Sequence, residues 1–97
     1  MPAVVFTPAA QADVADAVSW YDERAPGLGQ DLIGEIDSIV GRLAANPRQF
    51  PLAYKDARRA LLRRFPYALF FRVTNARVQV IACFHTSRAP RRWRGRV

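Results

Sequence analysis

His85 is the only imidazole in the sequence, and it follows a run of apolar and β-branched residues, three positions before Arg88. An imidazole titrates near neutral pH, so it could act as general acid or base when a ribose 2′-hydroxyl attacks a phosphodiester. Arg64, Arg72 and Arg88 could stabilise the charge at such a phosphate. A lone histidine at a strand end is also a common structural hydrogen-bond donor, and a second acid–base group is not evident. The residue types therefore allow a catalytic and a structural interpretation of His85.

Fourteen of the fifteen basic residues are arginine, whose planar fork matches phosphate and carboxylate groups. Several of them lie in or next to predicted strands of the C-terminal half. Others form an arginine-rich C-terminal run with one aromatic residue. The predicted surface for a target or partner consists of Arg63, Arg64, Arg72, Arg88, Arg91, Arg92 and Trp93. The alternatives are solvated strand charges, ion pairs with acidic residues of the helices and, for Trp93, packing in the core.

The charge changes sign along the chain. Residues 1–41 contain seven acids against one base, a net charge of −6, whereas residues 42–97 contain fourteen bases against one acid, a net charge of +13. A difference of this size favours a binding surface for nucleic acid or for an acidic protein over a merely solubilising surface. The length predicts a single domain, residues 1–97.

Cysteine and histidine usage limits the chemistry further. One cysteine, Cys83, and one histidine provide neither an internal disulfide nor a zinc ligand set, so we expect no metal, no cofactor and a reducing compartment. The N-terminus does not resemble a signal peptide, and no run of about 18 apolar residues occurs. The sequence therefore predicts a cytoplasmic protein without membrane association.

The N-terminal half predicts a strand and two helices. Residues 3–6 are β-branched or aromatic, and Thr7-Pro8 is a typical helix start. Apolar residues then recur with helical spacing over residues 9–24 and 28–43, which predicts an antiparallel helical hairpin. Gly34 and Gly41 lie seven residues apart on the second helix, where we expect them to let the first helix approach closely.

The C-terminal half predicts a loop over residues 47–55 and then an antiparallel meander with strands at 57–65, 67–74 and 77–84. Asn75-Ala76 is short enough for a two-residue hairpin link. Alternation divides the side chains between two faces. One face should pack against the hairpin and contain Tyr67, Leu69, Phe71, Val73, Val78, Val80, Ala82 and Phe84. The other, with Ala68, Phe70, Arg72, Thr74, Arg77, Gln79, Ile81, Cys83 and His85, should be open and partly wet.

This order of elements, with its basic C-terminal tail, resembles the RelE/ParE toxin superfamily of bacterial type II toxin–antitoxin modules. The resemblance rests mainly on residues 64–73 (RFPYALFFRV) and 78–88 (VQVIACFHTSR), and it covers nearly the whole chain. It implies the RelE/ParE-like α+β fold. RelE-type members are implied to cleave mRNA on the ribosome, and ParE-type members to inhibit DNA gyrase.

Three positions bear on this choice. The RelE pattern has an arginine where this sequence has Ala68 and a tyrosine where it has Arg94, while Arg88 matches a third position. The resemblance therefore implies a ParE-like gyrase inhibitor, neutralised by a cognate antitoxin that is ParD-like or similar and has an acidic C-terminal segment. One alternative is a metal-independent, RelE-like mRNA endoribonuclease acting on the ribosome through His85, Arg88, Arg72 and Arg64. Another is a non-toxic nucleic-acid-binding module.

Overall fold

The computed structural model describes residues 2–75 and 77–97 and shows one mixed sheet with a helical hairpin on one face. The elements are β1 Ala3–Phe6, α1 Pro8–Arg24, α2 Leu28–Ala45, β2 Leu52–Tyr54, β3 Ala57–Leu61, β4 Tyr67–Thr74, β5 Arg77–His85 and α3 Arg91–Arg94. The strand order is β1-β5-β4-β3-β2, and only the β1–β5 pair is parallel among the described strands. The predicted α+β class, with its strand, helical hairpin and meander, is confirmed. No helix in the described ranges is long and apolar enough to cross a bilayer.

The first helix begins where the sequence predicts. The Thr7 hydroxyl accepts a hydrogen bond from the backbone N–H of Ala10 at 3.1 Å, and Pro8 occupies the first helical position. Together they satisfy a free helix donor and preset the backbone for the first turn. Thr7 therefore fixes where the chain turns from β1 into α1.

The close approach within the hairpin occurs at Gly29. The Asp22 carboxylate of α1 accepts the backbone N–H of Gly29 at 2.8 Å, and a Cβ at this glycine would lie 2.7 Å from the carboxylate. The expectation for Gly34 and Gly41 is wrong, because a Cβ at either position would meet nothing within 4 Å. Both glycines lie on the exposed surface of α2.

The alternation predicted for β4 is confirmed. Leu69 and Phe71 are buried in the core beneath the helices, with Tyr67 and Val73 packed against it. On the opposite face, Phe70 belongs to a second apolar cluster. The sheet therefore has a core on each side, where the sequence predicts one apolar face and one wet face.

The faces predicted for β5 are wrong beyond Ile81. Phe71 pairs with Val80 and Phe70 pairs with Ala82, so Ile81 is an extra residue in a β-bulge. Ile81 and Ala82 both belong to the second cluster, and the alternation is reversed from there on. A bulge of this kind is invisible to a strict two-residue period.

The reversal exchanges the predicted faces of the last β5 residues. Cys83 lies in the core beneath the helices, whereas Phe84 lies in the second cluster. The His85 ring contacts the Tyr67 ring, which packs against the helix-side core. Cys83 and Phe84 are therefore on the faces opposite to those predicted, whereas His85, at the end of the strand, also borders the predicted open face.

The segments on either side of the meander contain structure that the sequence pattern does not predict. The predicted loop over residues 47–55 contains a 3-10 turn, Pro47–Gln49, and the edge strand β2, which pairs with β3. The first meander strand ends at Leu61 rather than at residue 65, and β5 extends to His85. Asn75 has a left-handed backbone with φ of 49°, as a tight link requires, while Ala76 lies outside the described residues.

The C-terminal segment covers the second apolar cluster. Trp93 of α3 stacks on Phe70, with ring centroids 3.9 Å apart and planes 16° apart. Only 5% of Trp93 is exposed, and Val97 packs against the same cluster. This face of the sheet is therefore a second core closed by the C-terminal segment.

Where β1 ends, an ion pair takes the place of a neighbouring strand at the edge of β5. Asp13 of α1 accepts the backbone N–H of Cys83 at 3.0 Å, and Arg96 donates to the carbonyl of Ile81 at 2.9 Å. The two side chains also bind each other, with Arg96 Nη1 2.6 Å from an Asp13 carboxylate oxygen. The Asp13–Arg96 bridge thus satisfies the strand edge and ties the hairpin to the C-terminal segment.

We expect the substitution Asp13→Ala to lower the free energy of unfolding by about 2 kcal/mol, because it leaves the Cys83 N–H and the Arg96 guanidinium without their acceptor. Urea unfolding followed by circular dichroism measures the change. Asp16→Ala, at an exposed position of the same helix, is the matched control and should change the value by less than about 0.5 kcal/mol. Equal losses in the two variants would contradict the structural role of the bridge.

We also expect the Cys83 thiol to resist alkylation in the folded protein. Burial, and secondarily the Asp13 carboxylate, raises the pKa of the thiol to about 12, so little thiolate exists at pH 8. Because the unfolded thiol ionises near pH 8.5, this group's contribution to stability is present below that pH and is lost as the pH rises towards 12. Iodoacetamide labelling at pH 8 should be slow without urea and fast in urea; fast labelling without urea would contradict the burial.

Candidate functional site

A groove of about 300 Å³ lies on the face of the sheet opposite the helical hairpin. Its floor is apolar and formed by β4, β5 and α3 side chains of the second cluster: Ala68, Phe70, Phe84 and Trp93. The other residues that line it are Leu52, Ala53, Arg59, His85, Thr86, Arg88, Pro90 and Arg94. None of these lining residues is acidic.

Three guanidinium groups from different elements meet at this groove. Arg59 lies on β3, Arg88 follows β5, and Arg94 belongs to α3. The Arg94 guanidinium lies 4.6 Å from the centre of the Tyr54 ring, and that of Arg88 lies 5.0 Å from the Phe84 ring. Cation–π contact at such distances positions a guanidinium without neutralising its charge. The groove is therefore strongly electropositive.

His85 adjoins the groove, and its ring is held from two sides. The backbone N–H of Ser87 donates to Nδ1 at 3.1 Å, and the Tyr67 ring lies against the imidazole with centroids 5.3 Å apart. Because Nδ1 is an acceptor here, the neutral imidazole has its proton on Nε2. This geometry stabilises the turn after β5. Burial, as the main cause, raises the pKa of Tyr67, so its phenol stays protonated near neutral pH.

Arg72 forms an ion pair away from the groove. Its Nη2 lies 2.9 Å from a carboxylate oxygen of Asp56, and its Nε also donates to that carboxylate, at 3.1 Å. The hydrogen bond from Arg72 is the main reason that the pKa of Asp56 lies below its usual value. Arg72 does not line the groove, and its partner lies in the β2–β3 turn.

Arg63 and Arg64 lie next to the helical hairpin. Their backbone N–H groups both donate to the Glu35 carboxylate, the Arg64 bond being 2.9 Å long. The Arg64 side chain is 3.6 Å from Asp31 of α2, so the alternative interpretation as an ion pair with a helix acid holds for Arg64. The expected clustering of Arg63, Arg64 and Arg72 with Arg88 is therefore wrong: of these four, only Arg88 lines the groove.

The arginine-rich tail divides between surface and core. Arg91 and Arg92 are exposed on α3, as a contact surface requires. Trp93, the next residue, is buried, which corrects its assignment as an exposed contact residue and favours the alternative of core packing. Arg59 is absent from the predicted surface. Ala57 and Ala60, which are both buried, determine the direction of the Arg59 side chain. The sequence of this short strand alone does not show which face each residue takes.

The described residues show no group of three or more histidine, cysteine or acidic side chains placed to hold a metal ion. What the groove offers is a set of fixed positive charges above an apolar floor. Such an arrangement can bind anionic groups of a partner and stabilise negative charge.

The comparisons with known proteins concern both family and fold. The sequence model of the family described as "ParE toxin of type II toxin-antitoxin system, parDE" matches residues 4–90. The chain is similar in structure to a protein of the chromosomal ParDE toxin–antitoxin system from P. aeruginosa, with a TM-score of 0.78 and 22% sequence identity. That match covers 88% of this chain and 96% of the other. No curated protein matches the sequence significantly.

The two tryptophans should respond differently to truncation. Trp93→Ala removes the ring stacked on Phe70 and should lower the free energy of unfolding by about 3–5 kcal/mol, as for other buried aromatic side chains. Trp20 is 47% exposed, and Trp20→Ala should cost less than about 1 kcal/mol. Chemical denaturation of both variants tests this difference, and a loss at Trp93 no larger than that at Trp20 would contradict its place in the core.

Proposed function

This chain belongs to the ParE toxin family of type II toxin–antitoxin systems, and from that premise we propose that it arrests growth by binding and inhibiting DNA gyrase. The observation that supports the proposal most is the family match over residues 4–90, which includes the helical hairpin and all five strands except Ala3. Membership of a toxin–antitoxin family also implies a cognate antitoxin as partner.

The groove supports binding rather than cleavage as the mode of action. Ala68, which stands where the RelE pattern has an arginine, is buried in the groove floor and gives the groove no charge there. Arg94 stands where that pattern has a tyrosine, so this position has a planar fork of hydrogen-bond donors in place of a phenol. Three arginines and no acidic residue line the site, which suits contact with an acidic surface of a target protein.

An acidic antitoxin segment fits the same half of the molecule. Residues 42–97 have a net charge of +13, and Arg91 and Arg92 extend the positive surface beyond the groove. A disordered acidic segment could fold on this surface and neutralise it. We therefore propose a ParD-like or similar antitoxin with an acidic C-terminal segment, acting in the cytoplasm.

A second candidate function is cleavage of mRNA on the ribosome. The observation that favours it is the presence of His85 and Arg88 at one groove, because an imidazole and a guanidinium together could move a proton and stabilise a phosphate. Arg72 and Arg64, the other residues of that hypothesis, lie outside the groove and contact acidic side chains.

Purified gyrase tests the first candidate. We expect the isolated chain to inhibit supercoiling of relaxed plasmid, and the triple variant Arg59→Gln, Arg88→Gln, Arg94→Gln to need at least about ten times the concentration, since it loses several charge-assisted contacts. The charge-matched control is Arg24→Gln, Arg42→Gln, Arg48→Gln, whose positions do not line the groove. It should inhibit like the unmodified chain.

A parallel assay on translating ribosomes separates the alternatives. Unaltered supercoiling together with new mRNA 5′ ends that disappear in His85→Ala would overturn the gyrase proposal in favour of the endoribonuclease. Expression of the chain without an antitoxin should arrest growth under either candidate. Normal growth at confirmed expression would leave a non-toxic binding module as the remaining interpretation.

A further inference from the structure

Within residues 2–75 and 77–97, the groove arginines lack the acidic partners that three other arginines have. Three arginines of the described residues form ion pairs with acids: Arg64 with Asp31, Arg72 with Asp56 and Arg96 with Asp13. In the same described part of the chain, Arg59, Arg88 and Arg94 form no ion pair. Their charge is therefore available to an external anion.

Aromatic rings hold this region in place. The Phe84 ring has the Arg88 guanidinium 5.0 Å from its centre and that of Arg96 at 4.9 Å. The Tyr54 ring is contacted in the same way by Arg94, at 4.6 Å. A ring face orients a guanidinium and forms no hydrogen bond with its N–H edge, so these contacts leave the donors of Arg88 and Arg94 available. The groove is thus pre-organised for an anion with several oxygen acceptors.

We propose that this groove binds the phosphodiester backbone of a nucleic acid, through Arg59, Arg88 and Arg94 and without regard to base sequence. Arginine forks bind phosphate oxygens in pairs, and three of them on separate elements can contact successive phosphates along a strand. Nucleic-acid binding by the groove goes beyond gyrase inhibition and does not require it, so the two can fail separately.

The groove floor explains why the phosphates rather than the bases would be contacted. Phe70, Phe84 and Trp93 are at least 93% buried, and Trp93 already stacks on Phe70. Single-strand binders that stack bases need an exposed ring face, which these three residues lack. What remains accessible is positive charge at the rim, and backbone contact of that kind is independent of sequence.

An acidic peptide is the competing occupant. Peptides that dock in grooves usually insert apolar side chains into pockets, and here Trp93 fills the apolar floor. Leu52, which is 60% exposed at the rim, is the one large exposed apolar side chain that lines the groove among the described residues. One such contact favours a polyanion over an anchored peptide.

Fluorescence anisotropy with labelled oligonucleotides about 12 nucleotides long tests the proposal on the full chain. The measurements are made at salt concentrations between 50 and about 200 mM. The probes are duplex DNA, single-stranded DNA and single-stranded RNA, each in two unrelated sequences, together with a polyglutamate peptide. We expect saturable binding to at least one nucleic-acid type, equal for its two sequences. The probe that binds best identifies DNA or RNA as the source of the phosphodiester.

The variants locate the binding. Relative to the unmodified chain, the triple variant Arg59→Gln, Arg88→Gln, Arg94→Gln should bind at least tenfold more weakly. Its plot of log affinity against log salt should be flatter by about 2.7 for duplex DNA or about 2.1 for single strands, the values for three lost phosphate contacts. The control variant Arg24→Gln, Arg42→Gln, Arg48→Gln removes the same charge outside the groove and should bind almost normally.

Three outcomes would overturn the proposal: no saturable binding of any oligonucleotide at 50 mM salt, equal weakening in the two triple variants, or polyglutamate binding that no oligonucleotide displaces. Thermal unfolding of each variant verifies that it is folded. A triple variant of the groove with lysine at all three positions keeps the charge without the fork, so it should retain the salt dependence while losing part of the affinity. Because no gyrase is present, a failure here leaves the gyrase proposal untouched.

Discussion

The Asp13–Arg96 bridge is the interaction on which the two halves of the structure depend. The bridge lies where β1 ends. Beyond that point the edge of β5 has an N–H and a carbonyl without a partner among the described strands, and the bridge binds both groups. Since Asp13 belongs to α1 and Arg96 follows α3, the bridge also fixes the C-terminal segment to the helical hairpin around the edge of the sheet. The position of α3, and with it Trp93, follows from that connection.

The charge separation along the sequence has two roles in the folded molecule. Part of it is used internally, since acids of the hairpin accept backbone hydrogen bonds from the β3–β4 loop and pair with Arg64 and Arg96. Another part lies on the other face, where Arg88 and Arg94 contact aromatic rings. Fixed charge of this kind suits contact with an anionic partner.

Local signals in the sequence predicted most of the fold. The Thr7 cap, the helical spacing in α1 and α2, and the alternation in β4 each act over a few residues, and the structure has all of them. The bridge could not be predicted, because its partners are 83 residues apart and either could equally be a surface charge. The same holds for Arg59, which lines one groove with Arg94 of α3 only in the folded chain. The exposed glycines of α2 show the converse, since their spacing suggested a contact that the fold does not contain.

The β-bulge at Ile81 has a consequence for how this strand tolerates sequence change. Before it, Val78 and Val80 are the buried positions beneath the helices; after it, Cys83 takes that role, and Phe84 packs under the C-terminal segment. The buried helix-side positions of β5 are therefore even-numbered before residue 81 and odd-numbered after it. In an alignment of homologous sequences without a gap on this strand, the apolar positions would change in the same way at residue 81. One inserted residue thus decides that Cys83 faces the helix-side core and that Phe84 faces the floor of the basic groove.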